Sequence, residues 1–217
     1  MIFAHSVDVI DLMLRGLMIG IIASAPMGPI GILVVQRTLN KGRLYGFATG
    51  VGAAISDIVY AAITGLGMGL VMDFIEKPST MLYLRLAGSL MLFLFGLWMF
   101  KCKPAKPHKP SGKLGTVTHN GVTGFLLTLS NPLIVFLFVA LFARFNFVVP
   151  NHLWEQALGY AAIFGGSLLW WACLTFALRT MKDRLSMEAI NVFNRLLGTL
   201  VMAVSVIGFV LIIIGKI

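Results

Sequence analysis

Long apolar stretches separated by short polar or charged segments divide this 217-residue chain. Six of them approach or exceed about 20 residues. They run from Leu12 to Val35, Leu44 to Met72, Leu82 to Phe100, Asn120 to Phe142, Leu153 to Leu178 and Leu196 to Gly215. At about 1.5 Å of rise per residue, such a helix crosses a hydrocarbon core about 30 Å thick, whereas membrane-barrel strands alternate in polarity and are about ten residues long. The pattern predicts an all-α membrane protein of six transmembrane helices. Ala23-Ser24-Ala25 resembles a leader cleavage site, but Asp8 and Asp11 stand where a leader carries basic residues and the apolar run continues to Val35, so the first stretch reads as a retained helix.

Two of the six are interrupted by proline, the first at Pro26 to Pro29 and the fourth at Pro132. Proline removes a backbone donor and pushes the preceding residue away from helical angles, so Ala25, Gly28 and Asn131 are expected to be non-helical. Each break creates a half-helix N-terminus inside the membrane, with Ser130 or Asn131 available to cap the second. The chain also repeats itself. Arg85-Leu86-Ala87-Gly88-Ser89-Leu90 opens the third stretch and Arg195-Leu196-Leu197-Gly198-Thr199-Leu200 the sixth; Ser24-Ala25-Pro26 parallels Ser130-Asn131-Pro132, and Gly52 to Asp57 parallels Gly165 to Trp170. Three spans per half put the halves in opposite orientation, which predicts two inverted three-helix repeats, residues 1–100 and 119–217, joined by a linker over 101–118.

Composition agrees with the class: 59% of residues are hydrophobic and 12% charged, too few to coat a soluble globule of this size. Charge then orients the spans. With the N-terminus outside, Arg37, Lys41, Arg43, Lys101, Lys103, Lys106, Lys109, Lys113, Arg179, Lys182, Arg184 and Arg195 fall inside, 12 of the 17 basic residues. The net charge of +9 is largely this asymmetry, so nucleic acid is not an expected partner. The linker is basic and Pro-rich, suited to anionic lipid headgroups.

The candidate chemistry centres on Asp57. A charge at the bilayer centre costs roughly 3 kcal/mol on insertion scales, so an acid there is a functional hypothesis by default. Pro26, Asp57 and Pro132 each lie about 12 to 14 residues into their spans, roughly 20 Å at the helical rise, which places all three at similar depth. Two helix N-termini favour an anion, and one acid favours a cation. That combination suits a zwitterion, with Asp57 as ammonium-binding or proton-coupling acid. The competing reading makes Asp57 an interhelical hydrogen-bonding contact and the glycines Gly46, Gly50, Gly52, Gly65, Gly67 and Gly69 close-packing positions. Trp170 and Trp171 sit mid-span, where at least one of them can line a cavity, and Trp170 is taken as a candidate substrate-binding residue.

Other chemistries find little support. Cys102 and Cys173 form no CxxC pair, and His5, His108, His119 and His152 lack metal-ligand spacing. No Walker loop, dinucleotide fingerprint or HExxH occurs, so neither an enzyme nor a cofactor is expected. A cation or metal-ion exporter is the alternative function, although Asp57 stands without further ligands; a transmembrane thiol-disulfide carrier is a more distant one.

The run APMGPIGILVVQRTLNKGRLYGFATGVGAAISDIVYAAITGLG resembles the N-terminal signature of the LysE/RhtB amino-acid exporter family, and SNPLIVFLF, GGSLLWW and NRLLG resemble its later blocks. The resemblance implies a bacterial cytoplasmic-membrane exporter of small amino acids or related metabolites driven by the proton gradient. It points to Pro26, Gly28, Pro29, Asp57, Asn131 and Pro132 as site residues. Two departures stand out: the family's Pro-Gly-Pro is here Pro-Met-Gly-Pro, and a lysine that often follows Asn-Pro is Leu133. The expected partners are thus a small-molecule substrate, protons and the lipid bilayer, with a homodimer as an open alternative. Both termini are expected to be non-cytoplasmic. Alkaline phosphatase fused after Ile217 should therefore be active and a fluorescent-protein fusion there dark; the reverse pair of results would invert this topology.

Overall fold

The structure is a computed structural model, and it describes residues 8–26, 28–75, 78–101, 115–131, 133–149, 152–180 and 187–214. It contains helices α1 (Val9–Ser24), α2 (Pro29–Lys41), α3 (Arg43–Ile75), α4 (Pro78–Lys101), α5 (Val117–Leu129), α6 (Leu133–Phe145), α7 (Leu153–Thr180) and α8 (Met187–Ile213). Among the described residues there is no strand. Most of the linker, Cys102 and Pro132 lie outside the described residues.

Each interrupted stretch is a pair of helices. α1 and α2 meet at 79°, and α5 and α6 at 75°. α3 over Arg43–Met68 and α7 over Leu153–Leu178 are each long and apolar enough to cross a membrane, and each bent pair passes the same test as one unit. α4 and α8 contain shorter apolar stretches among the described residues, Leu86–Trp98 and Gly198–Ile213. Two to four spans are therefore evident by length and composition.

Polar residues are sequestered and apolar ones turned outward. Ser24, Thr49, Ser56, Asp57, Asn120, Thr128, Ser167 and Thr175 are buried, while Leu66, Phe176, Leu196 and Ile207 are exposed. In lipid this arrangement suits most of both sets, because the interior supplies hydrogen-bond partners to groups such as Thr49, Ser56 and Thr175 and the hydrocarbon accepts the apolar rim.

Glycines set the helix pairing. α1 packs along α7, α3 along α5 and α4 along α8. At the first crossing a Cβ on Gly20 would overlap the carbonyl of Ile163, and one on Gly166 would overlap that of Leu17. At the second, a Cβ on Gly124 would overlap the carbonyl of Thr49 and one on Gly52 that of Gly121. The two crossings use the same spacing on both helices. Gly96 and Gly198 likewise face each other's carbonyls between α4 and α8. Backbones brought this close gain dispersion contact, the principal adhesive between helices in lipid. The core then fills in around Ile19, Tyr60, Phe95, Phe138, Phe142, Phe147 and Ile163.

Gly52→Val and Gly124→Val should each lower stability by about 1 to 3 kcal/mol through overpacking. Gly67→Ala, which meets nothing within 4 Å, should raise it by about 0.5 to 1 kcal/mol. Thermal unfolding in detergent measures both, and equal effects at the three positions would contradict the close crossing.

Candidate functional site

The first break lies at its prolines, although Ala25, expected to leave the helix, keeps helical angles at φ −64° and ψ −37° because its amide still donates to the Ile21 carbonyl. α1 ends at Ser24, and Gly28, with φ −65° and ψ −162°, is the N-cap of α2 without a side-chain cap bond. Pro29 occupies the first turn of α2, where its missing N–H costs nothing. The Gly28 amide donates to the Pro26 carbonyl at 2.9 Å. The remaining first-turn amides of α2 have no intrahelical acceptor and carry the positive end of the helix dipole.

The second break is supported from α3. Ser56 Oγ donates to the Phe125 carbonyl at 2.7 Å as a second donor inside α5, while Tyr60 Oη donates at 2.5 Å to the Leu129 carbonyl, which the helix end leaves without an intrahelical donor. Ser130 Oγ donates back to the Leu126 carbonyl at 2.7 Å, so it serves the end of α5 and does not cap α6. The Asn131 carbonyl accepts from Ile134 N at 3.2 Å.

One cavity of about 280 Å³ joins the two breaks. Pro26, Gly28, Pro29, Asp57 and Asn131 all line it; Pro132 is outside the described residues. Asp57 is 5% exposed and accepts a hydrogen bond from Ser24 Oγ at 3.4 Å. Among the described lining residues it is the only one with a charged side chain. Phe95, Trp98, Ile134 and Leu137 supply an apolar wall.

Two lining residues were not singled out individually by sequence reasoning. Trp171 lines the cavity and belongs to the buried cluster of Val34, Ala53 and Ala54, against which Trp170 packs without lining the cavity. Thr128, one turn before the second break, lines it too. Spacing from the crossing glycines is the signal that finds both: Ser24 and Thr128 each lie four residues beyond Gly20 and Gly124, and Asp57 and Trp171 each lie five beyond Gly52 and Gly166. The earlier pairing of Gly165 with Gly52 is off by one, since a Cβ on Gly165 meets open space.

Away from the cavity, Arg37 on α2 donates to Thr49 Oγ1 at 2.8 Å and to the Asn120 carbonyl at 2.9 Å, tying α2 to α3 and α5. Among the described residues no three His, Cys, Asp or Glu side chains gather as a metal site.

The sequence model of a family described as "LysE type translocator" matches residues 21–213. Two relatives are similar over most of their length. "Putative amino acid efflux protein YcgF" of Bacillus subtilis (strain 168) is 24% identical over 179 residues, 81% of this chain and 84% of that protein. "Uncharacterized membrane protein YahN" of Escherichia coli (strain K12) is 25% identical over 180 residues, 76% of each chain. No solved structure matches the chain.

Among the described residues an ionised Asp57 has no cation beside it in the cavity wall and one long hydrogen bond, so its burial is incompletely compensated. Asp57→Asn should therefore keep or raise the unfolding midpoint, by about 2 to 4 °C for each kcal/mol relieved. A fall as large as that from a deleted core side chain would show instead that Asp57 is a structural contact.

Proposed function

The chain belongs to the LysE type translocator family and is an integral membrane transporter, and we propose that it exports small amino acids across the bacterial cytoplasmic membrane in exchange for protons. The cavity shared by two broken helices and a buried acid carries this reading. Its lining offers the opposite chemistries that a zwitterion requires. The uncapped first turn of α2 favours the carboxylate, and Asp57 favours the ammonium group. The apolar wall of Phe95, Trp98 and Leu137 suits an uncharged side chain, and 280 Å³ lies near the lower limit of small-ligand pockets, about 300 Å³. The similarity to an efflux protein supports the outward direction.

Asp57 is the coupling residue in this scheme. A carboxylate that holds either a proton or an ammonium group, but not both, exchanges one for the other as the cavity faces each side in turn. Alternation in turn calls for two similar halves able to trade roles. We assign α1 to α4 and α5 to α8 to such inverted halves of three spans each, with 101–118 as linker. The glycine crossings support the assignment. So do the left-handed residues after the two half-helices, Gly42 at φ 107° and Asn146 at φ 46°. The halves are unequal in the present state: α2 packs along α3, whereas α6 packs along α4.

Proteoliposomes loaded with an amino-acid mixture and a pH dye test the mechanism. The wild type should move protons against amino-acid efflux, and Asp57→Asn should lose that proton movement by at least about tenfold, as expected when a positioned proton-transfer group is removed. Coupled transport undiminished in Asp57→Asn would take this residue out of the mechanism.

A further inference from the structure

The cavity is lined by two residues whose polar groups find no partner among the described residues. Trp171 is 1% exposed and Thr128 is 3% exposed. Neither Trp171 Nε1 nor Thr128 Oγ1 has a hydrogen-bond partner among the described residues. Buried polar atoms are nearly always paired, and those left over need a reason. These two lie on different helices, α7 and α5, yet both line the cavity that also receives the open N-terminus of α2.

From this we propose that Trp171 Nε1 and Thr128 Oγ1 form the carboxylate subsite of the transported amino acid. An indole N–H only donates, so whatever meets it must present an acceptor. A threonine hydroxyl donates or accepts, and beside an indole donor and a positive helix end it donates to the same anion. Neither group carries charge, and the described lining includes no Lys or Arg. The subsite thus holds a carboxylate through oriented dipoles and leaves Asp57 as the only fixed charge. A substrate bearing a second negative charge would meet no counterion there, which excludes amino acids with acidic side chains. Packing fixes the indole in place: a Cβ on Gly50 would press into its ring, so Gly50 gives Trp171 its position. The spacing from the crossing glycines sets an acceptor, Asp57, against a donor, Trp171, at matching positions of the two halves.

The inference rests on the amino-acid reading above, and one experiment separates the two. Proteoliposomes holding the full chain are loaded with glycine, alanine, valine, leucine, threonine, methionine and glutamate, and efflux is followed by mass. Leucine efflux is then competed with leucine itself or with isopentylamine, its counterpart without the carboxyl group. Trp171→Phe and Thr128→Val should each weaken competition by leucine about tenfold or more while competition by isopentylamine changes less than twofold. The wild type should move leucine and leave glutamate inside. If both variants lose leucine and isopentylamine equally, or keep both, the carboxylate subsite is elsewhere although the amino-acid reading stands. If the wild type moves none of the seven, both proposals fall. Thr128→Val is nearly isosteric, so it decides the matter should Trp171→Phe not fold.

Discussion

A backbone amide or carbonyl inside lipid must find a partner, and this constraint governs the whole molecule. A membrane helix may be broken only where protein shelters the break. Here the shelter comes from the long helices: each broken helix leans its first segment against one of them, α1 on α7 and α5 on α3. Small residues make that approach possible; Ser56 reaches across to the Phe125 carbonyl in the last turns of α5, and Tyr60 to the Leu129 carbonyl freed at its end. The same opening that exposes α2's first turn leaves the cavity, so packing and the proposed binding site share one arrangement.

Much of this was legible in the sequence because lipid leaves few options. Helix positions follow from apolar run length: the second stretch, expected from Leu44 to Met72, is α3 from Arg43 to Ile75, and the fifth, expected from Leu153, begins there. Proline chemistry located both breaks, and depth along the helices brought Asp57 level with them; the cavity that joins Pro26, Gly28, Pro29, Asp57 and Asn131 is a consequence of that shared depth. Gly52 was read as a packing position and lies in a crossing, whereas Gly67 meets open space.

Facing direction was not legible. Gly165 and Gly166 are adjacent, and only the approach of Leu17's carbonyl decides that Gly166 is the contact. That single step moves the cavity-lining position from Trp170 to Trp171. Thr128 looked like an ordinary helix residue until its neighbours left its hydroxyl unpaired. Ser130, a reasonable cap by sequence, is taken by its own helix at Leu126. Helix rotation depends on the partner's surface, which a single chain's periodicity records only weakly when both faces are apolar. Helices α4 and α8 show the same limit, since their described apolar stretches are shorter than a full span although the sequence runs on.

The central claim is that the transported molecule occupies the cavity between the two breaks, and a structure of the protein with an exported amino acid bound tests it most directly. The account predicts density between Asp57 and the first turn of α2, with the ammonium group toward Asp57. Density at another place in the molecule, with this cavity unoccupied, would contradict it.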